Sequence, residues 1–240
     1  MNKNYMTYPV KFMRITQTYL GKTSHLAHTT GSVKDYPIDE AGKDTGRDPI
    51  YCPCDEMVVT AVKGYGNNKV TNTIWLVSTS PVVTPTFTDI CFMTLTHEND
   101  SDIKDLKVGQ KFQRGDIICY EGTNGASANH IHIVVGRGSS NNWTQSSSGS
   151  WVMVGDTKKP EEVFYIDPSF TTVLSTNGLS FSRLPQEEEQ KEDNPIEDEK
   201  EQEVEEGSKP EESPRLIFEC KESKYYKIFL KENMKLYLKE

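Results

Sequence analysis

Apolar residues over positions 1–178 come only in short bursts. EMVVTAV, NTIWLVS, DICFMTLTH, DIICYEG and IHIVV are β-branched runs, each closed by Gly, Asn, Asp or Pro. Runs of roughly 4–8 residues with such punctuation are the signature of strands joined by tight turns. Helical periodicity is nearly absent, and only KPEEVFY at 159–165 reads as one helical turn. The pattern predicts an all-β domain over residues 1–178, built of short antiparallel strands.

Two further segments differ in kind. Residues 179–214 are dominated by Pro, Glu, Gln, Lys and Ser, and 186–212 alone hold 14 acidic against 3 basic residues. So few apolar groups cannot offset the entropy of ordering, so an acidic, disordered linker is expected. Residues 215–240 regain apolar clusters at Leu216–Phe218, Tyr225–Leu230 and Leu236–Leu238, with 7 basic and 4 acidic residues. This reads as a small β-hairpin-like module, for wall binding or oligomerisation or as a fragment of something longer. Twenty-six residues bury little core unaided.

The charge balance excludes some partners. The chain carries a formal net charge of -9, but the acidic linker accounts for it and the β-domain is close to neutral. It offers no basic field for nucleic acid. No run of 18 apolar residues occurs, so no membrane span is expected. MNKNYMTYPVKF lacks an apolar stretch of signal-peptide length. Synthesis in the cytoplasm is expected, with holin-type release, a place in a virion or another export route to follow. Five cysteines, an odd number without a CxxC pair, fit a reducing folding compartment, with Cys91 and Cys119 as buried thiols.

The chemistry concentrates in the histidines. All five, His25, His28, His97, His130 and His132, lie in the β-domain. In NHIHIVV, His130 and His132 are one residue apart in a strand, so both rings share a face. Two imidazoles side by side call for a common partner, and a metal is the natural one.

Their setting, THENDSDIKDLKVGQKFQRGDIICYEGTNGASANHIHIVVG, resembles the catalytic core of lysostaphin/LytM-type zinc metallopeptidases. His97 ends a strand, Val108–Gly109–Gln110 and Gly115–Asp116–Ile117–Ile118 follow, and the loop Glu121–Gly125 leads into His130–Ile131–His132. Gly109 and Gly115 suit tight turns, and Gly122 and Gly125 let the loop bend into the His-x-His strand. Upstream, ITQTY, YPIDEAGKD and PIYCPCDEMVV resemble the segments that carry the family's remaining ligands. Here the chain departs from the usual HxxxD spacing. Asp39 is the carboxylate, and the first histidine is His28 or His25, eleven or fourteen positions before it. Asp35 is a weaker carboxylate candidate, because it leaves the downstream segment out of register.

The resemblance implies a duplicated hybrid motif fold and one Zn2+ per chain. Its ligands would be His28 (or His25), Asp39 and His132, with a position left for water. His97 and His130 would be the acid–base pair, and the substrate bacterial peptidoglycan, cut in its stem peptide or cross-bridge. An intracellular origin would make it a phage-type lysin. A catalytically inactive binding or activator protein of the same fold is the alternative. VGQKFQRGDII also resembles lipoyl- and biotinyl-type carrier domains, but no turn with a modifiable Lys accompanies it. Trp75, Trp143 and Trp151 are either groove walls or partly buried flanks of a surface loop. Taken singly, Asp39 reads as a turn residue and His97 as a strand-end histidine; their order along the chain is what makes them candidates.

Overall fold

A computed structural model describes residues 3–21, 25–30, 33–66, 71–145 and 151–186. The expected C-terminal module and residues 187–214 of the expected linker lie outside them. The described chain is all-β apart from three short helices. In order it runs β1 (Phe12–Gln17), α1 (Leu26–Thr30), β2 (Ile38–Glu40), β3 (Pro49–Tyr51), β4 (Glu56–Lys63), β5 (Thr73–Ser78), β6 (Val82–Val83), β7 (Thr88–Asp89), β8 (Cys91–Thr96), α2 (Asp100–Ile103), β9 (Lys111–Gln113), β10 (Ile117–Tyr120), β11 (Ile131–Gln145), β12 (Trp151–Lys158), α3 (Pro160–Val163) and β13 (Thr172–Ser175). The five apolar runs become β4, β5, β8, β10 and the start of β11, and KPEEVFY contains α3. No helix among the described residues is long and apolar enough to cross a membrane.

Nine strands form one sheet in the order β13-β1-β2-β11-β8-β5-β4-β9, with β12 also on β11. The β1–β13 pairing is parallel and the others are antiparallel, and β3–β10 and β6–β7 form two small separate ladders. Period-2 alternation gives the sheet two unlike faces. Ile131, Ile133 and Val135 of β11, Cys91, Met93 and Leu95 of β8, and Ile74 and Leu76 of β5 enter the main core. The opposite face of the same strands carries His132, Thr96 and Thr73, and beyond them a second apolar cluster of Trp75, Val77, Phe92, Val134 and Met153. Cys52, Cys54, Cys91 and Cys119 are free and buried. Gly109 and Gly115 both have positive φ, 89° and 82°, at the turns flanking β9.

The β-domain extends further than its composition suggests. Residues 179–184, assigned above to the linker, pack on the domain. Leu179 is buried, Phe181 meets Tyr8 edge-on at 5.5 Å, and Leu184 N donates to Ile166 O. Leu179, Phe181 and Leu184 alternate with polar residues at the head of a polar stretch, and a composition window averages them away.

Candidate functional site

One cross-strand row builds the site. Thr73 of β5 pairs with Thr96 of β8, Thr96 with His132 of β11, and His132 with Asp39 of β2. Directly opposed residues on one face bring their side chains together, and His132 Nδ1 lies 3.0 Å from Asp39 Oδ1. His25, just before α1, reaches the same oxygen with Nε2 at 3.2 Å. The ligand atoms of His25, Asp39 and His132 all lie within 4.8 Å of one another.

The donor chemistry of these three fits a divalent cation. His25 Nδ1 faces the carbonyl oxygen of Thr18 at 3.1 Å. A carbonyl only accepts, so Nδ1 carries the proton and Nε2 turns a lone pair to Asp39. Lone pair against carboxylate is unfavourable unless a proton or cation lies between them. Tetrahedral zinc with bonds of about 2.1 Å sets its ligand atoms about 3.4 Å apart, close to the 3.0 and 3.2 Å found. Burial pushes the Asp39 carboxyl up, but its two histidine neighbours, His132 foremost, outweigh this and hold it well below the usual carboxylate range. Burial holds the His132 imidazole below its ordinary value, against the opposing pull of Asp39. Both shifts favour the deprotonated, ligating forms.

His28, one of the two sequence candidates for the first ligand, stands outside this group. Its Nδ1 lies 2.7 Å from Asp35 Oδ1, and Asp35 is itself buried. Spacing favoured His28 because it is nearer Asp39 and precedes Gly31. The structure instead brings His25 onto the carboxylate and spends His28 on Asp35.

His97 and His130 both line the cleft and their rings pack together, centroids 4.5 Å apart. His130 Nδ1 meets Ala128 O at 3.0 Å and His97 Nδ1 meets Asn124 O at 2.8 Å. By the argument used for His25, both rings keep their proton on Nδ1 and leave Nε2 as the base. His130 Nε2 comes within 3.8 Å of Asp39 Oδ1. Burial, and then the neighbouring His132, push His97 down to about 4, so it is neutral over the physiological range. His97 has φ 91°, a backbone conformation rare outside glycine. The turn is held by His97 N to Asn72 O and by Asn124 N to His97 O, both 3.1 Å. Gly122 lies against it: a Cβ there would stand 2.2 Å from His97 O. Gly122 also exchanges backbone hydrogen bonds with His130, so it couples the two catalytic candidates.

All five histidines line an open cleft of about 440 Å³. Asp35, Asp39 and the four threonines Thr71, Thr73, Thr94 and Thr96 line it with them, and Val134, Trp143 and Met153 add an apolar side. Trp143 lines the cleft and packs edge-on at 4.7 Å against Trp75, which is itself buried in the second apolar cluster. The side chain of Trp151 is outside the described residues. Sequence reasoning did not find Thr18 and Asn124, whose backbone carbonyls orient His25 and His97, because backbone partners leave no mark on residue type. No family model and no curated protein matches the chain.

Proposed function

We propose that the chain is a zinc-dependent hydrolase, and more narrowly a peptidoglycan endopeptidase of the lysostaphin/LytM type. The observation that carries the first step is the convergence of His25 Nε2 and His132 Nδ1 on one oxygen of Asp39, with the His97–His130 pair alongside. Three protein ligands with a neighbouring acid–base pair is the arrangement of a catalytic zinc site, not of a closed structural one. The second step is supported by the motif order His97, Gly115–Asp116, Gly122, His130–Ile131–His132, and by the open cleft that all five histidines line.

Bound at this site, zinc supplies Lewis-acid polarisation of the scissile carbonyl and lowers the pKa of the attacking water. His25, Asp39 and His132 hold the cation with a single anionic ligand, which leaves the site net positive. His97, neutral and with Nε2 unprotonated, accepts the water's proton. His97 returns that proton to the leaving amine, while His130, its ring centroid 4.5 Å from that of His97, takes a proton from solvent and donates from Nε2 to the developing oxyanion. The threonine row and the Trp143 wall hold the peptide along the sheet face.

Metal analysis of purified protein, with digestion of peptidoglycans of differing cross-bridge chemistry followed by mass spectrometry, tests both steps. The expected result is one zinc per chain and newly formed amino termini within stem peptide or bridge. A chain with zinc that cleaves none of the walls is the binding protein instead; a chain without zinc sinks the hydrolase reading.

A further inference from the structure

His28 and Asp35 are buried at the edge of the cleft and have no part in the mechanism above. Both lie in the segment that separates the ligands His25 and Asp39 by fourteen positions. Holding the ends of such a segment together costs closure entropy that rises with its length. Where two ends carry ligands for one ion, a loose segment between them weakens the site.

The segment is closed at an inner point. Besides the 2.7 Å contact of His28 Nδ1 with Asp35 Oδ1, Asp35 N donates to His28 O at 3.0 Å. The same two residues therefore meet through side chains and through backbone. The second carboxylate oxygen of Asp35 accepts the Met153 N–H at 2.7 Å, and Thr157 Oγ1 donates to Lys34 O at 2.8 Å. Both donors belong to β12, so the closure is fastened to the sheet. On its other side the His28 ring packs on His25 and His132, with centroids 5.8 and 5.5 Å away. One side chain thus touches the rings of both imidazole ligands while a buried, doubly bonded carboxylate fixes it from behind.

We infer that His28 and Asp35 form a clasp that closes the His25–Asp39 segment and sets the two ligand imidazoles for the cation. They are positioning residues, and the clasp rests on the metal site proposed above. Loss of such outer partners of metal ligands typically costs 10–100-fold in affinity.

The test is zinc affinity of the full-length chain, by competition with a chromophoric chelator, together with the absorption spectrum of the Co2+ form. His28→Ala and Asp35→Asn should still bind one metal, about 10–100-fold more weakly. At saturating zinc their turnover of wall peptides should return close to that of the wild type. His28→Asn, which restores an N–H donor near the Nδ1 position, should recover most of the affinity, a rescue that simple loss of packing would not show. If His28→Ala fails to fold, Asp35→Asn and His28→Asn carry the comparison. Unchanged affinity in the variants overturns the clasp while leaving the zinc site standing. If His28→Ala abolishes the site and changes the Co2+ spectrum while His25→Ala keeps both, His28 is a ligand and the clasp is wrong. A wild-type chain that binds no zinc removes the site and the clasp together.

Discussion

His132 and Asp39 are directly opposed residues of the β11–β2 ladder, and their side chains meet with Nδ1 3.0 Å from Oδ1. Register alone places this pair. A slip of one residue would turn Ile131 and Ile133 to the cleft and the histidines into the core, at the cost of burying two polar rings. The same alternation puts His130 on the cleft face, with its Nε2 3.8 Å from Asp39 Oδ1 and outside the His25–Asp39–His132 group.

That difference separates the roles of His130 and His132. His130→Ala is expected to retain one zinc and lose wall-lytic activity by about 10²-fold or more, the usual scale for an acid–base group. His132→Ala should lose both. Metal analysis beside a turbidity assay reads the two; zinc loss in His130→Ala with zinc kept in His132→Ala would mean that the assignments are reversed.

The backbone of His97 makes a second prediction. Its φ of 91° suits glycine and strains any other residue. His97→Gly and His97→Ala both lose the contact with Asn124 O and both should be nearly inactive. The glycine variant should nonetheless be the more stable of the two by about 1 kcal/mol, because it relieves the strain. Urea unfolding of the metal-free proteins measures the difference, and an alanine variant as stable as the glycine one would show that no strain is stored there.

Much of this site was legible in sequence because strands convert spacing into direction. His-x-His in a strand can only share a face, and alternation of isoleucine with histidine says which face is core. Asp39 was placed by the segments that follow it. The choice between His25 and His28 was not legible, because both lie off the ladders, where position along the chain has no fixed relation to position in space. What separates the two in space is tertiary: the Thr18 carbonyl, which accepts from His25 Nδ1, and the Asp35 carboxylate, which accepts from His28 Nδ1. The fold was read in the same way. The β-branched runs became strands, whereas the packing of Leu179 and Phe181 was hidden in a stretch whose average composition is that of a linker.

Glu98, next to His97, carries a prediction about pH. It is fully buried, and neither carboxylate oxygen finds a hydrogen-bond partner among the described residues. Burial pushes its carboxyl well above the usual range. Unfolded, the group ionises above about 4.3; folded, it keeps its proton to higher pH. The folded state therefore binds more protons than the unfolded state in this window, and stability falls as pH rises through it. Glu121, pushed up to about 8 mainly by burial, adds a decline of the same sign. Glu98→Gln stays neutral throughout. It should match the wild type near pH 4 and exceed it by on the order of 1 kcal/mol at pH 8. Thermal melts across that range test this, and a constant offset would show that Glu98 ionises normally in the fold.

The last prediction concerns where the catalytic unit ends. Leu179 is buried, Phe181 packs against Tyr8, and Leu184 N bonds to Ile166 O, so a cut after Gly178 removes part of the core and a cut after Gln186 does not. Loss of a buried leucine costs about 2–5 kcal/mol in well-packed cores, a large share of the roughly 5–15 kcal/mol that holds a domain together, and loss of the partly buried Phe181 adds to it. Residues 1–178 should therefore melt far lower than residues 1–186, or fail to fold, by circular dichroism. Residues 1–186 should turn over short soluble peptides like the full chain. The segment beyond them is basic and aromatic at 215–240, while the β-domain is near neutral. On that contrast the tail is expected to concentrate the enzyme on an anionic wall or to pair chains. The 1–186 form should then clear intact walls more slowly than the full chain, or run as a monomer where the full chain does not. Equal wall turbidity and equal light-scattering mass for the two would remove both roles from the tail. Equal melting of 1–178 and 1–186 would return the domain boundary to Gly178.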